Sequence, residues 1–77
     1  MIKELIDYIV KSLVDDPSQV LVTEVISGSE VIVELRVAPN DMGRVIGRNG
    51  KVINAIRVLA QICAAREAKR AQIELVE

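Results

Sequence analysis

The sequence predicts an α+β domain, a three-stranded mixed sheet with three helices on one face, in the order α-β-β-α-α-β. Three observations carry this. Apolar residues recur at helical spacing over residues 2–14, they alternate strictly over 30–37, and two further helical stretches separate that strand from a short third one. A crossover through helices between strands of one sheet is right-handed, which makes the second and third strands parallel if they are adjacent.

Ile2, Leu5, Ile6, Ile9, Val10 and Leu13 form the apolar stripe of the first helix. Asp15-Asp16-Pro17 stops it, because a residue before proline avoids the α region. The β-branched run 19–26 is a strand, and Ser27-Gly28-Ser29-Glu30 a tight hairpin turn with glycine supplying a positive φ. In the second strand Val31, Val33, Leu35 and Val37 face one way, and Glu30, Glu34 and Arg36 the other. Pro39-Asn40-Asp41 ends it and offers Asn40 or Asp41 as an N-cap for a short helix over 41–46. A long helix follows from Lys51 to Lys69, with a core stripe of Val52, Ile56, Leu59 and Cys63, and the last strand covers Ala71 to Val76 with Ile73 and Leu75 inward.

The chain has 77 residues, one domain's worth, and a domain that small buries only about 60% of the surface its unfolded chain exposes. An aliphatic core is therefore required, and 51% of the residues are apolar while Tyr8 is the sole aromatic. Cys63 stands alone and histidine is absent, which removes an internal disulfide, the usual zinc frameworks and Cys–His nucleophile pairs. Asp15-Asp16 has no further ligands around it and is a helix stop, not a metal pair. No metal, cofactor or small-molecule substrate is expected. No apolar run is long enough for a bilayer, and Glu4 and Asp7 interrupt the first helix too early for a signal-peptide core. A soluble, cytoplasmic domain spanning 1–77 is the expectation.

The net charge of −1 conceals a strong asymmetry. Residues 42–70 hold Arg44, Arg48, Lys51, Arg57, Arg66, Lys69 and Arg70 against Glu67 alone, a local charge of +6, and the remainder is −7. Arg66, Lys69 and Arg70 could extend an anion-binding path, but cations at a helix C-terminus also complement its dipole, and that is the reading favoured for them. Three of the other four cations, Arg44, Arg48 and Lys51, coincide with glycines: GRVIGRNGK, residues 43–51, contains three of the chain's four. A bare G-x-x-G is weak evidence, and this stretch is no Walker A loop, because Val45 stands where the first glycine belongs and Val52 where Ser or Thr belongs. No G-x-G-x-x-G follows a strand either. The context sharpens the signal. Gly47-Arg48-Asn49-Gly50 joins a short helix to the start of a long one, whose unpaired N–H groups suit an anion. Glycines there would let a phosphodiester backbone approach closely. Gly43 is expected to be a packing glycine.

The stretch Val45 to Ile53 strongly resembles the signature of the K-homology (KH) family, and the element order resembles its type II arrangement. The resemblance covers the whole chain. The run Val37 to Ala60 looks closest to the small single-KH bacterial KhpA family. In KH domains the G-x-x-G loop clamps about four single-stranded nucleotides. The resemblance thus implies a non-catalytic RNA chaperone or regulator that pairs with itself and with a larger KH-containing partner, KhpB (also called Jag or EloR). Gly47, Arg48, Asn49 and Gly50 would hold the RNA backbone, with flanking charge from Arg44, Lys51 and Arg57. Ile46, Ile53 and Val37 are assigned to the groove wall, where bases rest on aliphatic side chains.

The alternative is a KH-fold adaptor that binds protein, for which cations beside the glycines would have no use. No acid, base and nucleophile converge to support an enzyme. Val58, Ile62 and Ala65 lie off the core stripe of the long helix and form a candidate homodimer face, unless the first helix covers them.

Overall fold

Helix α1 (Ile2–Leu13) buries Ile2, Ile6 and Val10, one residue per turn along a single stripe. The computed structural model describes residues 1–76, and its remaining elements are β1 (Leu21–Ser27), β2 (Glu30–Arg36), α2 (Met42–Ile46), α3 (Lys51–Ala65) and β3 (Arg70–Leu75). Single 3-10 turns occupy Pro17–Gln19, Pro39–Asp41 and Arg48–Gly50.

What stops α1 is more than the proline. Val14 is already extended, and the next two backbone N–H groups, of Asp15 and Asp16, donate to Oδ1 and Oδ2 of Asp41 at 3.0 and 3.1 Å. Asp41 is 2% exposed. The expected N-cap on α2 is therefore absent: neither Asn40 nor Asp41 makes a side-chain capping bond, and the Asp41 carboxylate serves the loop after α1 instead. This couples the chain entering β1 to the chain entering α2.

The sheet order is β1-β2-β3. β1 and β2 pair antiparallel through a two-residue turn at Gly28-Ser29, with Gly28 at φ +60° in its first position. Such hairpin turns favour glycine there because their twist matches that of the strands. β2 and β3 pair parallel, with Val31 beside Ala71, Val33 beside Ile73 and Leu35 beside Leu75. Val22, Val31, Val33, Leu35, Ala71 and Ile73 are buried beneath the helices, while Thr23, Glu34, Arg36, Gln72 and Glu74 lie on the uncovered face.

Two expectations about α3 are corrected. The helix ends at Ala65, not Lys69, because Ala68 takes a left-handed φ of 57° and the Ala68 and Lys69 N–H groups turn back to the carbonyls of Ala65 and Ala64. That is a Schellman ending with alanine where glycine is usual. Arg70 accordingly begins β3. The core stripe is Ile53, Ile56, Ala60 and Ala64, rotated from the expected one; Val52 and Cys63 are half-buried beside it and Leu59 is exposed. Small alanines at the contact let α3 approach its neighbours closely. The first helix does not cover the far flank: Val58 and Ile62 are 54% and 56% exposed, and Ala65 is exposed too.

Candidate nucleic-acid interface

Helix α2 closes with the Gly47 N–H donating to the Gly43 carbonyl at 2.9 Å, after which the chain reverses within four residues. Gly47 has φ +76° and ψ 171°, a region open essentially to glycine alone. Asn49 (φ 59°) and Gly50 (φ 74°) are left-handed, and asparagine is among the few non-glycine residues that sit there readily. The Gly50 N–H returns to the Gly47 carbonyl at 3.1 Å.

A side chain at Gly47 would place its Cβ 2.9 Å from both the Cβ and the backbone N of Val52. Gly47 is thus fixed by its close approach to the start of α3, not by a need to clear space for a ligand. A Cβ at Gly50 would meet only Asn54 Nδ2 at 3.5 Å and Ile53 Cγ2 at 4.0 Å, so its constraint is the backbone angle. Gly43 is exposed and a Cβ there would meet nothing within 4 Å, so it is not the packing glycine expected.

This backbone leaves Arg48, Asn49 and Lys51 exposed at the N-terminus of α3, where no side chain caps the first turn. Arg44, one turn back on α2, is exposed and forms a 3.4 Å ion pair with Asp15. Arg57 lies across the gap between α3 and β3. Its Nε and Nη2 both donate to the Ile73 carbonyl at 3.4 Å, and its Nη1 to Asn54 Oδ1 at the same distance. These bonds are long and individually weak.

The expected groove wall divides. Ile46, 38% exposed, faces an apolar recess of about 340 Å³ that it shares with Pro39, Met42 and Val76. Ile53 is 6% exposed and belongs to the core, and Val37 is half-buried against it. Met42 was legible as the i−4 neighbour of Ile46 on one helix face. Val76 was not, because nothing local says that the end of β3 returns to α2.

The family model described as the KhpA/KhpB KH domain matches residues 3–75. The chain belongs to that family. Its KH domain is 45% identical over 74 residues to a Clostridium perfringens protein named RNA-binding protein KhpA, covering 96% of this chain and 99% of that one. A protein of the same name from Clostridium acetobutylicum is 46% identical with the same coverage, and one from Borreliella burgdorferi is 43% identical, covering 96% of this chain and 90% of its own. No solved structure gives a significant match. Gly47 and Gly50 lie within the matched residues at G-x-x-G spacing. No helix among the described residues is long and apolar enough to cross a membrane.

Proposed function

We propose that residues 1–77 act as a single KH domain that binds single-stranded RNA without catalysis, the G-x-x-G loop holding the phosphodiester backbone. The observation that carries this is the loop itself. Left-handed backbone at Asn49 and Gly50 presents the exposed Arg48, Asn49 and Lys51 beside uncapped N–H groups of a 15-residue helix, with an apolar recess at Ile46 close by. The loop supplies charge and N–H donors to phosphate, and the recess a surface for a base edge or face. The name of the relatives, RNA-binding protein KhpA, supports the same reading. A role as RNA chaperone or regulator in the cytoplasm fits it.

The exposed apolar row Val58, Leu59 and Ile62, with Ala65, favours a second property, self-association through α3. The family name couples KhpA with KhpB, which supports a KhpB-like protein as a second partner for this domain. A pure protein adaptor is the alternative.

The deciding experiment is the double variant Arg48→Asp with Asn49→Asp. Both side chains are exposed, and surface changes of this kind usually shift stability by within about 0.5 kcal/mol. Two carboxylates would occupy the phosphate position and repel the incoming strand. Circular dichroism should show an unchanged fold, and fluorescence anisotropy with a single-stranded RNA should show binding abolished. A folded double variant that binds RNA as tightly as the wild type would hand the domain to the adaptor reading.

A further inference from the structure

We infer that Lys69 and Arg70 form a second phosphate-binding point for the same RNA strand, at the opposite end of α3 from the G-x-x-G loop. The inference rests on the RNA-binding reading above and extends it along the molecule.

α3 and β3 run antiparallel along each other, joined by residues 66–69. The end of β3 therefore lies at the Ile46 recess, through Val76, and its start lies beside the end of α3. β3 is an edge strand. Arg70 and Val76 direct their N–H groups to the Ser29 and Leu35 carbonyls next door, so by the two-residue period of a strand the backbone of Ala71, Ile73 and Leu75 faces the free edge. The Ile73 carbonyl confirms this by accepting Arg57.

Between that edge and α3 runs a polar track. Asn54, Arg57 and Gln61 follow one another at spacings of three and four residues, hence on one helix face. Asn54 stands next to Gly50 and Arg57 spans the middle. Gln61 opens into a cavity of about 480 Å³ lined also by Ala65, Lys69, Arg70 and Gln72. The three side chains span about 10 Å of α3, and the whole helix, which separates the loop from the cavity, is about 22 Å long at 1.5 Å per residue.

The cavity is rich in donors that suit a phosphate and a sugar: two cations and two amides. Glu30 is the one carboxylate on its wall. Among the described residues, neither Lys69 nor Arg70 has a carboxylate oxygen within 4 Å. The helix-dipole role expected for these cations does not account for them. α3 ends at Ala65, Lys69 lies beyond the last turn and Arg70 is in a strand, while the dipole's influence fades within that turn. The left-handed Ala68 turns the chain so that Lys69 sits half-buried on the cavity wall.

The test compares a four-nucleotide RNA, which fills the G-x-x-G clamp, with one of about ten nucleotides that can reach both ends. The variant Lys69→Gln/Arg70→Gln should bind the long RNA about five- to tenfold more weakly, and its slope of log affinity against log salt should shrink by about 1.4, two phosphates at about 0.7 each. Its affinity for the short RNA, read by NMR titration, should stay within about twofold. The swap Lys69→Arg/Arg70→Lys should restore long-RNA binding, and Lys11→Gln/Arg36→Gln, which removes the same charge elsewhere, should leave it unchanged. An equal loss on both lengths, or an equal loss from the remote pair, would overturn the second contact and leave the loop's role standing. Wild-type protein that binds neither RNA would overturn both.

Discussion

At the scale of single residues, the two loop glycines are not equivalent. Gly47 combines a glycine-only backbone region with a Cβ position already occupied by Val52, whereas Gly50 has an ordinary left-handed φ and room beside it. Gly47→Ala should therefore lower stability by more than about 2 kcal/mol, through backbone strain and steric overlap together. Gly50→Ala should cost about 1 kcal/mol, the penalty of a left-handed alanine. Urea denaturation of both variants measures the difference, and equal costs would contradict the packing described here. The sequence disclosed that glycines stand at 47 and 50. It did not disclose that one is held from inside, since that depends on where Val52 comes to rest. Asp41 was visible as a capping type of residue, but its partners lie 25 and 26 residues away, beyond any local pattern.

At the scale of elements, α1, β2 and β3 were legible because one face of each is largely polar and the other aliphatic, and β1 by its β-branched run. α3 was not, being apolar around most of its circumference. Reading the large residues as its core gave Val52, Leu59 and Cys63; packing instead selected Ala60 and Ala64, which allow a closer approach, and left Val58, Leu59 and Ile62 outside. That exposed row supports association of two chains through α3. Ile62→Asp should leave circular dichroism unchanged, because the residue is not in the core, and should convert a wild-type dimer to a monomer in sedimentation experiments. Wild-type protein that sediments as a monomer at high concentration would remove the interface. The start of α3 at Lys51 was legible, but its end was not, for its C-terminus is set by an alanine in a conformation that alanine rarely adopts.

At the scale of the whole molecule, acidic and basic residues separate so that a chain of net charge −1 still offers a cationic path, from Arg48 and Lys51 through Arg57 to Lys69 and Arg70. Distant charge does not help such a molecule hold RNA, so affinity rests on a few local contacts. With three or four phosphates neutralised, the slope of log affinity against log salt should lie near −2 to −3. Anisotropy titrations across a salt series measure it, and a flat response would exclude phosphate contacts. The parallel pairing of β2 with β3 carries a consequence for time as well as for shape. The β1–β2 hairpin closes over two residues, but β3 can join only after residues 37–69 have been brought back, so its loop-closure entropy is spent late. In stopped-flow experiments Ile73→Val should speed unfolding and leave the refolding rate nearly unchanged, whereas a hairpin change such as Val22→Ala should slow refolding. The strand that walls the polar track is then the last to arrive and the first to leave.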